Sequence, residues 1–185
     1  SVMENIIARG VDGIVLAPLD DTALRVPVLN AKKMNIPVVI FDSGLTGSDY
    51  ISYVATDNYA GGQMAGEYMA KLLNGKGKVA VLRYLEGSDS TTKRENGFIE
   101  AVSKYPDIKV VSSEQYAGPT TETALKAAEN LFSRFKDENG KLQFDGIFSP
   151  LEPAILSITQ AAKGMNVLDQ LKIVGFDSSA MMIAS

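Results

Sequence analysis

Pro37-Val38-Val39-Ile40-Phe41-Asp42-Ser43 and Lys172-Ile173-Val174-Gly175-Phe176-Asp177-Ser178 are two apolar runs that each deliver a Phe-Asp-Ser at the carboxyl end. Short, largely β-branched runs bounded by Pro or Gly read as strands buried on both faces. Between and around them the same reading repeats. Val2, Met3, Ile6 and Ile7 recur at helical spacing up to Gly10, so the chain opens inside a helix. Gly13 to Ala17 reads as a strand, and Asp20 or Asp21 as the cap of a helix running to about Met34, with Pro27 as a kink or restart. Further strands are expected at 51–55, 78–82, 108–111, 145–148 and 171–176, and helices at 58–73, 90–103, 120–135 and 153–163. A last helix is expected to open at Ser178. Strands of about five residues alternating with helices of ten or more make βαβ units, so the fold class is α/β with parallel sheets.

Composition narrows the chemistry. The 185 residues contain no Cys and no His, which removes disulfides, thiolate or imidazole metal sites, Cys nucleophiles and His-based triads. With 45% apolar and 22% charged residues the chain can bury a sizeable core. The net charge of −4 argues against a bulk nucleic-acid or anionic-membrane surface and suits a small neutral ligand. No run reaches the ~18 apolar residues needed to span a bilayer. Asn74-Gly75-Lys76-Gly77-Lys78 lacks phosphate-loop spacing and precedes a strand, and the glycine fingerprints of dinucleotide and serine-hydrolase sites are absent. Asp137-Glu138-Asn139-Gly140 resembles the start of a calcium loop, but Lys141 falls where an oxygen ligand is required, so it reads as a turn. No cofactor is expected.

Ligands of open α/β sheets sit outside the carboxyl ends of the strands. Asp42 and Asp177 end two matching strands, 135 positions apart, and can point two carboxylates at one cleft. For either alone, capping the following turn is the commoner role of a strand-end Asp. Arg94 follows the capping cluster Ser88-Asp89-Ser90-Thr91-Thr92, in the first turns of a helix; a surface pair with Glu95 or Asp89 is its ordinary alternative. An Arg fork flanked by carboxylates suits vicinal hydroxyls, because the Arg donates, each Asp accepts, and an uncharged polyol satisfies both. Tyr59, Tyr84 and Tyr116 are the aromatics near loops. A glycosidase pair is not supported, since nothing gives one carboxylate an acid role.

In order and spacing, Arg9-Gly10-Val11-Asp12-Gly13-Ile14-Val15-Leu16-Ala17-Pro18, Asn35 to Ser43, Val54-Ala55-Thr56-Asp57-Asn58 with Gly61-Gly62 and Ala65-Gly66, Arg94-Glu95-Asn96-Gly97-Phe98 and Val174-Gly175-Phe176-Asp177 carry a resemblance. The chain resembles periplasmic sugar-binding proteins of the ribose-binding type, the solute receptors of bacterial ABC transporters. The resemblance implies two Rossmann-like lobes closing over one sugar or related polyol, with a permease as partner and a periplasmic location, or an extracellular, lipid-anchored one in a Gram-positive source. It implies a partial first lobe at 1–56 and a second at 57–185, each missing segments that longer family members carry. By position it assigns Asp42 and Ser43 to the first lobe's share of the site and Arg94 and Asp177 to the second's. Tyr116 is a candidate stacking partner and Glu152 a candidate polar contact. Ser43 stands where ribose receptors carry an Arg, which argues against ribose itself, and Leu151-Glu152-Pro153 replaces an Asn-acidic pair. The resembling family implies binding without catalysis. The effector domain of lactose-repressor-type regulators shares the terminal Val-Gly-Phe-Asp but usually carries a Gly-His-basic segment where this chain has Asn74 to Val79.

Overall fold

The computed structural model describes residues 2–180. They group into two compact units: one runs up to Asp57 and takes in Glu86–Ser90, and the other comprises Asn58–Leu85 and the chain from Thr91 onward.

The first unit contains α1 (Val2–Ala8), β1 (Ile14–Leu16), α2 (Arg25–Lys33), β2 (Val38–Phe41) and β3 (Ser52–Val54). Its strands form a parallel sheet in the order β1-β2-β3. Met3 and Ile7 of α1 and Val28 and Ala31 of α2 pack on Ile14, Val38 and Ile40, so one sheet face is buried. The other face is open, with Val15 70% and Val54 63% exposed. Asp20 does not cap α2. Its Oδ1 accepts from the amides of Thr22 and Ala23 and closes a separate turn, and the helix starts afresh at Arg25. Pro27 thus falls in the first turn, where its missing N–H has no intrahelical acceptor to lose.

The second unit contains α3 (Asn58–Leu72), β4 (Lys76–Arg83), the body of α4 (Asp89–Ser103), β5 (Asp107–Tyr116), α5 (Thr121–Phe135), β6 (Gly146–Phe148), α6 (Glu152–Gly164), a 3-10 turn (Leu168–Gln170) and β7 (Lys172–Val174). All four strands are parallel, in the order β5-β4-β6-β7. Central β4 is apolar without alternation because both its faces are covered. Val79 and Val81 meet Met69 of α3 and Phe98 of α4, while Ala80 and Leu82 meet Leu131 of α5 and Ile158 of α6. Phe98 and Phe148 stack face to face at 4.3 Å in the first of these layers.

β5 runs well past the expected 108–111, to Tyr116. It is an edge strand whose pairing with β4 is twice shifted in register. An edge open to solvent needs no apolar periodicity, so Ser112-Ser113-Glu114-Gln115 extends it without the pattern that marks a buried strand. The Asp137–Gly140 segment is a turn whose Asp137 Oδ1 accepts from the amides of Asn139 and Lys141. The helix expected from Ser178 does not open there, since Ser178 and Ser179 are irregular, and residues 181–185 of that expectation lie outside the described residues.

Candidate functional site

The chain leaves β4 for β5 on one side and returns across it to β6 on the other, so the strand order reverses at the β4–β6 pair. In open α/β sheets such a switch point, outside the carboxyl ends of the strands, is where ligands bind. Ser149 Oγ donates to Leu82 O at 2.8 Å and ties the end of β6 to β4. The next residue, Pro150, presents its carbonyl to Arg94.

Arg94 is placed there by the approach of α3 to α4. A Cβ on Gly62 would lie 2.0 Å from Arg94 O, one on Gly97 2.2 Å from Tyr59 O, and one on Gly66 2.7 Å from Phe98 O. Only glycine permits this backbone-on-backbone seam. Arg94 itself is buried, yet its charge is well engaged. Nε donates to Asn58 Oδ1 at 2.8 Å, Nη1 donates to Pro150 O at 2.9 Å, and Asp177 Oδ2 lies 3.7 Å from Nη1. The guanidinium carbon sits 3.8 Å from the centroid of the Phe176 ring, a cation–π contact that helps to hold a desolvated cation. Asn58 is buried at the start of α3, and since Arg94 Nε only donates, the amide oxygen must face it. Its Nδ2 is buried with no acceptor among the described residues.

Asp177 is 43% exposed, so its carboxylate reaches both Arg94 and solvent. Asp42 and Asp177 share a backbone state, each with φ +67°. The repeated Phe-Asp-Ser therefore ends both strands in the same left-handed step, which Asp tolerates better than most residues and which the surrounding fold must hold. Asp42 belongs to the first unit, where its amide donates to Val54 O at 3.0 Å and its side chain is exposed. Ser43, beside it, is buried, and its Oγ accepts from the amide of Ser90 at 3.1 Å.

In the second unit the structure brings Arg94 and Asp177 together, with Pro150 O between the end of β6 and the guanidinium. Glu152 lies two residues beyond Pro150, half-buried in the first turn of α6. Tyr116 ends β5, 42% exposed, whereas Asp177 follows β7. Those are opposite edges of the sheet, three strand spacings or about 14 Å apart. Sequence reasoning did not single out Asn58, Phe176 or the Pro150 carbonyl. Phe176 was visible only as the companion of Asp177, and Asn58 only as a polar residue ahead of the Gly61-Gly62 pair.

Glu95 is a further buried charge, 1% exposed. Instead of pairing with Arg94, it accepts from Arg83 Nη1 at 2.8 Å and from the Tyr84 amide at 3.0 Å. Burial holds its carboxyl above the ordinary range, against the opposing pull of the Tyr84 amide and Arg83. Elsewhere on α3 and α4, Tyr59 donates to Glu100, which also accepts from Gln63 Nε2 at 2.9 Å. Cavities of about 340 and 630 Å³ open at the amino ends of the second unit's strands, around Lys76, Gly77 and Asp145, at the other end of the sheet from Arg94. Among the described residues no group of His, Cys, Asp or Glu is arranged to hold a metal ion, and no helix is long and apolar enough to cross a membrane.

The sequence pattern of the periplasmic binding protein domain matches residues 1–185. The chain belongs to that family. This binding-protein domain is 29% identical to the ribose import binding protein of Haemophilus influenzae over 96% of its own length, and spans 57% of that relative. A solute-binding protein of an Agrobacterium vitis ABC transporter, solved with bound D-fucose, superposes with a TM-score of 0.88 at 32% identity, covering 99% of this chain and 62% of that one. The periplasmic component of a Hahella chejuensis ABC-type sugar transport system superposes with a TM-score of 0.88 at 30% identity, covering 99% and 65%. The type I periplasmic-binding-protein architecture read from the sequence is thus the fold of this domain's relatives, of which the chain spans part.

Proposed function

We propose that the protein is a non-catalytic receptor that captures a monosaccharide or related polyol for an ABC importer, with the permease as its partner and the periplasm as its location. The observation that carries this reading is the Arg94–Asp177 group at the sheet's switch point. A guanidinium anchored by Asn58 and Pro150 stands 3.7 Å from a half-exposed carboxylate. Together they offer fixed donors and acceptors to adjacent hydroxyls, with near-balanced charge that favours an uncharged ligand over an anion. The family and the sugar-bound relatives support the same class of ligand. On this reading residues 1–56 form part of a first lobe and 57–185 the second. Asp42 and Ser43 are the first lobe's contribution, and Tyr116 and Glu152 flank the second's. Ser43 serves through its bond to Ser90, and Tyr116 through stacking at the margin.

The test is a thermal-shift screen of the protein, at the length its cell makes, against sugars, polyols, nucleosides and amino acids. A sugar at 100 times its dissociation constant should stabilise it by roughly 2.7 kcal/mol. Loss of that shift in Asp177→Ala supports the reading. Shifts with amino acids alone, or with none of the sugars and polyols, refute it.

A further inference from the structure

We propose that Glu95 is a positioning residue for Arg94. By binding the Arg83 side chain and the Tyr84 amide, it holds the first turns of α4 against the end of β4 and so keeps the Arg94 guanidinium facing Asn58, Pro150 and Asp177. The inference rests on the reading of Arg94 and Asp177 as the sugar-binding group and names the residue that orders it.

Arg94 and Glu95 are successive residues on α4, so they leave the helix about 100° apart. Arg94 looks toward the ends of β6 and β7, and Glu95 toward the end of β4. The two sides of the helix are held differently. On one side is the glycine seam with α3, at Gly62, Gly66 and Gly97. Farther along, Phe98 and Val102 are buried in the core with Met69 of α3 and fix the middle of α4, whereas the contact nearest Arg94 is backbone on backbone, which limits approach without giving direction. On the other side both Glu95 oxygens are taken up by directional partners, Oε2 by Arg83 Nη1 at 2.8 Å and Oε1 by the Tyr84 amide at 3.0 Å. Arg83 is itself tied to β5, its Nε donating to Ser113 O at 2.6 Å. The Arg83 and Tyr84 carbonyls accept from the amides of Ala117 and Gly118 at 2.6 and 3.0 Å, so the ends of β4 and β5 form one frame. Glu95 joins α4 to that frame.

The lever is long enough to matter. A 20° turn moves a group 5–6 Å from a helix axis by about 2 Å. The 2.8 Å bond from Arg94 Nε to Asn58 would not survive it. An apolar side chain would fill the Glu95 site without the unfavourable desolvation of a carboxylate. What the charge adds is direction, since it engages one guanidinium and one amide at fixed angles.

The experiment is a double-mutant cycle of Glu95→Gln with Arg94→Lys. It is read by calorimetric titration with D-ribose, D-allose and D-fucose and by the solvent exchange of the Arg94 Nε–H in NMR spectra. Gln keeps the shape and the acceptor for the Tyr84 amide but loses the charge opposite Arg83. Glu95→Gln is expected to weaken the binding of whichever of these sugars the unaltered protein holds by about tenfold, the size of one charge-assisted hydrogen bond. It should also speed exchange of the Arg94 Nε–H and add less than about a twofold loss once Arg94 is Lys, because effects transmitted through a shared group do not add. Equal losses in both backgrounds, or an Nε–H as protected as in the unaltered protein, overturn the proposal. If the unaltered protein binds none of the three sugars, the Nε–H exchange alone decides the positioning role, while the receptor reading stands or falls with the wider screen of sugars and polyols. Should Glu95→Gln not fold, Arg83→Gln removes the same contact from its partially exposed side and carries the same outcomes.

Discussion

Substituting alanine at Gly62 tests the seam on which the Arg94 site depends. An added Cβ would lie 2.0 Å from the Arg94 carbonyl oxygen, 2.7 Å from its carbon and 2.8 Å from its Cα. Ordinary contact begins near 3.4 Å, so α3 and α4 must separate by about 1 Å or more, and the atoms in the way are backbone with no rotamer to change. Overpacking of this kind costs about 1–3 kcal/mol. Alanine's helix propensity returns up to about 1 kcal/mol of that. The expected net loss is about 1–2 kcal/mol, which lowers the melting temperature by roughly 2–8 °C in a chain of this size. Because the clash falls on Arg94 itself, and Asn58 sits on the opposing helix, sugar affinity should fall further than the stability loss alone implies. Urea and thermal denaturation, with titration against the sugar that stabilises the unaltered protein, measure both effects. Gly164→Ala is the control: nothing lies within 4 Å of a Cβ there, in the last turn of α6, so a gain of about 0.4–1 kcal/mol is expected. If Gly62→Ala is as stable as the unaltered protein while Gly164→Ala shows its gain, the seam is not a constraint and the reasoning fails.

Other substitutions address the core and the surface. Phe148→Ala should cost about 3–5 kcal/mol by denaturant titration, because the ring is fully buried and stacked on Phe98. Phe176→Ala should weaken sugar binding by about tenfold, since it removes the ring against the Arg94 cation; unchanged affinity would mean the ring does not support that charge. Tyr59→Phe should flatten the pH dependence of stability at both ends. The bond to Glu100 raises the folded pKa of Tyr59, so its contribution is complete at neutral pH and lost as pH rises through that raised value. The same bond is the main cause that lowers Glu100, so the carboxylate's contribution is present above its unfolded value and lost as pH falls through the folded one. Denaturation series at acid, neutral and alkaline pH, comparing Tyr59→Phe with the unaltered chain, check both signs.

Fold and site were not equally legible in the sequence. The apolar run Val79-Ala80-Val81-Leu82 announces a strand because burial on both faces leaves no polar position to interrupt it, and Val38-Val39-Ile40 carries the same signature although one face of its sheet is open. The start of α2 is not legible locally, because Asp20 bonds to nearby amides in a turn as readily as in a cap, and the choice depends on where the chain is led next. The apolar pattern stops at Val111, short of the end of β5, because an edge strand's outer half carries no apolar signature. At the site, the repeated Phe-Asp-Ser singled out Asp42 and Asp177, and the structure gives both the same left-handed backbone. Arg94 stood out by its capping context, and the structure sets it against Asp177.

By itself the sequence determined the alternation of strands and helices, the absence of imidazole and thiol chemistry, and the polar residues that end the strands, since each follows from local pattern or composition. Only the tertiary structure decided who meets whom. Asn58 reaches Arg94 across 36 positions, Pro150 across 56, and Glu95 turns from its neighbour to Arg83. Those pairings arise where α3, α4 and the strand ends converge, and no local spacing encodes them. A buried charge takes the partners that the packed backbone brings within about 3 Å, and that geometry exists only once the glycine seam and the sheet's switch point have formed.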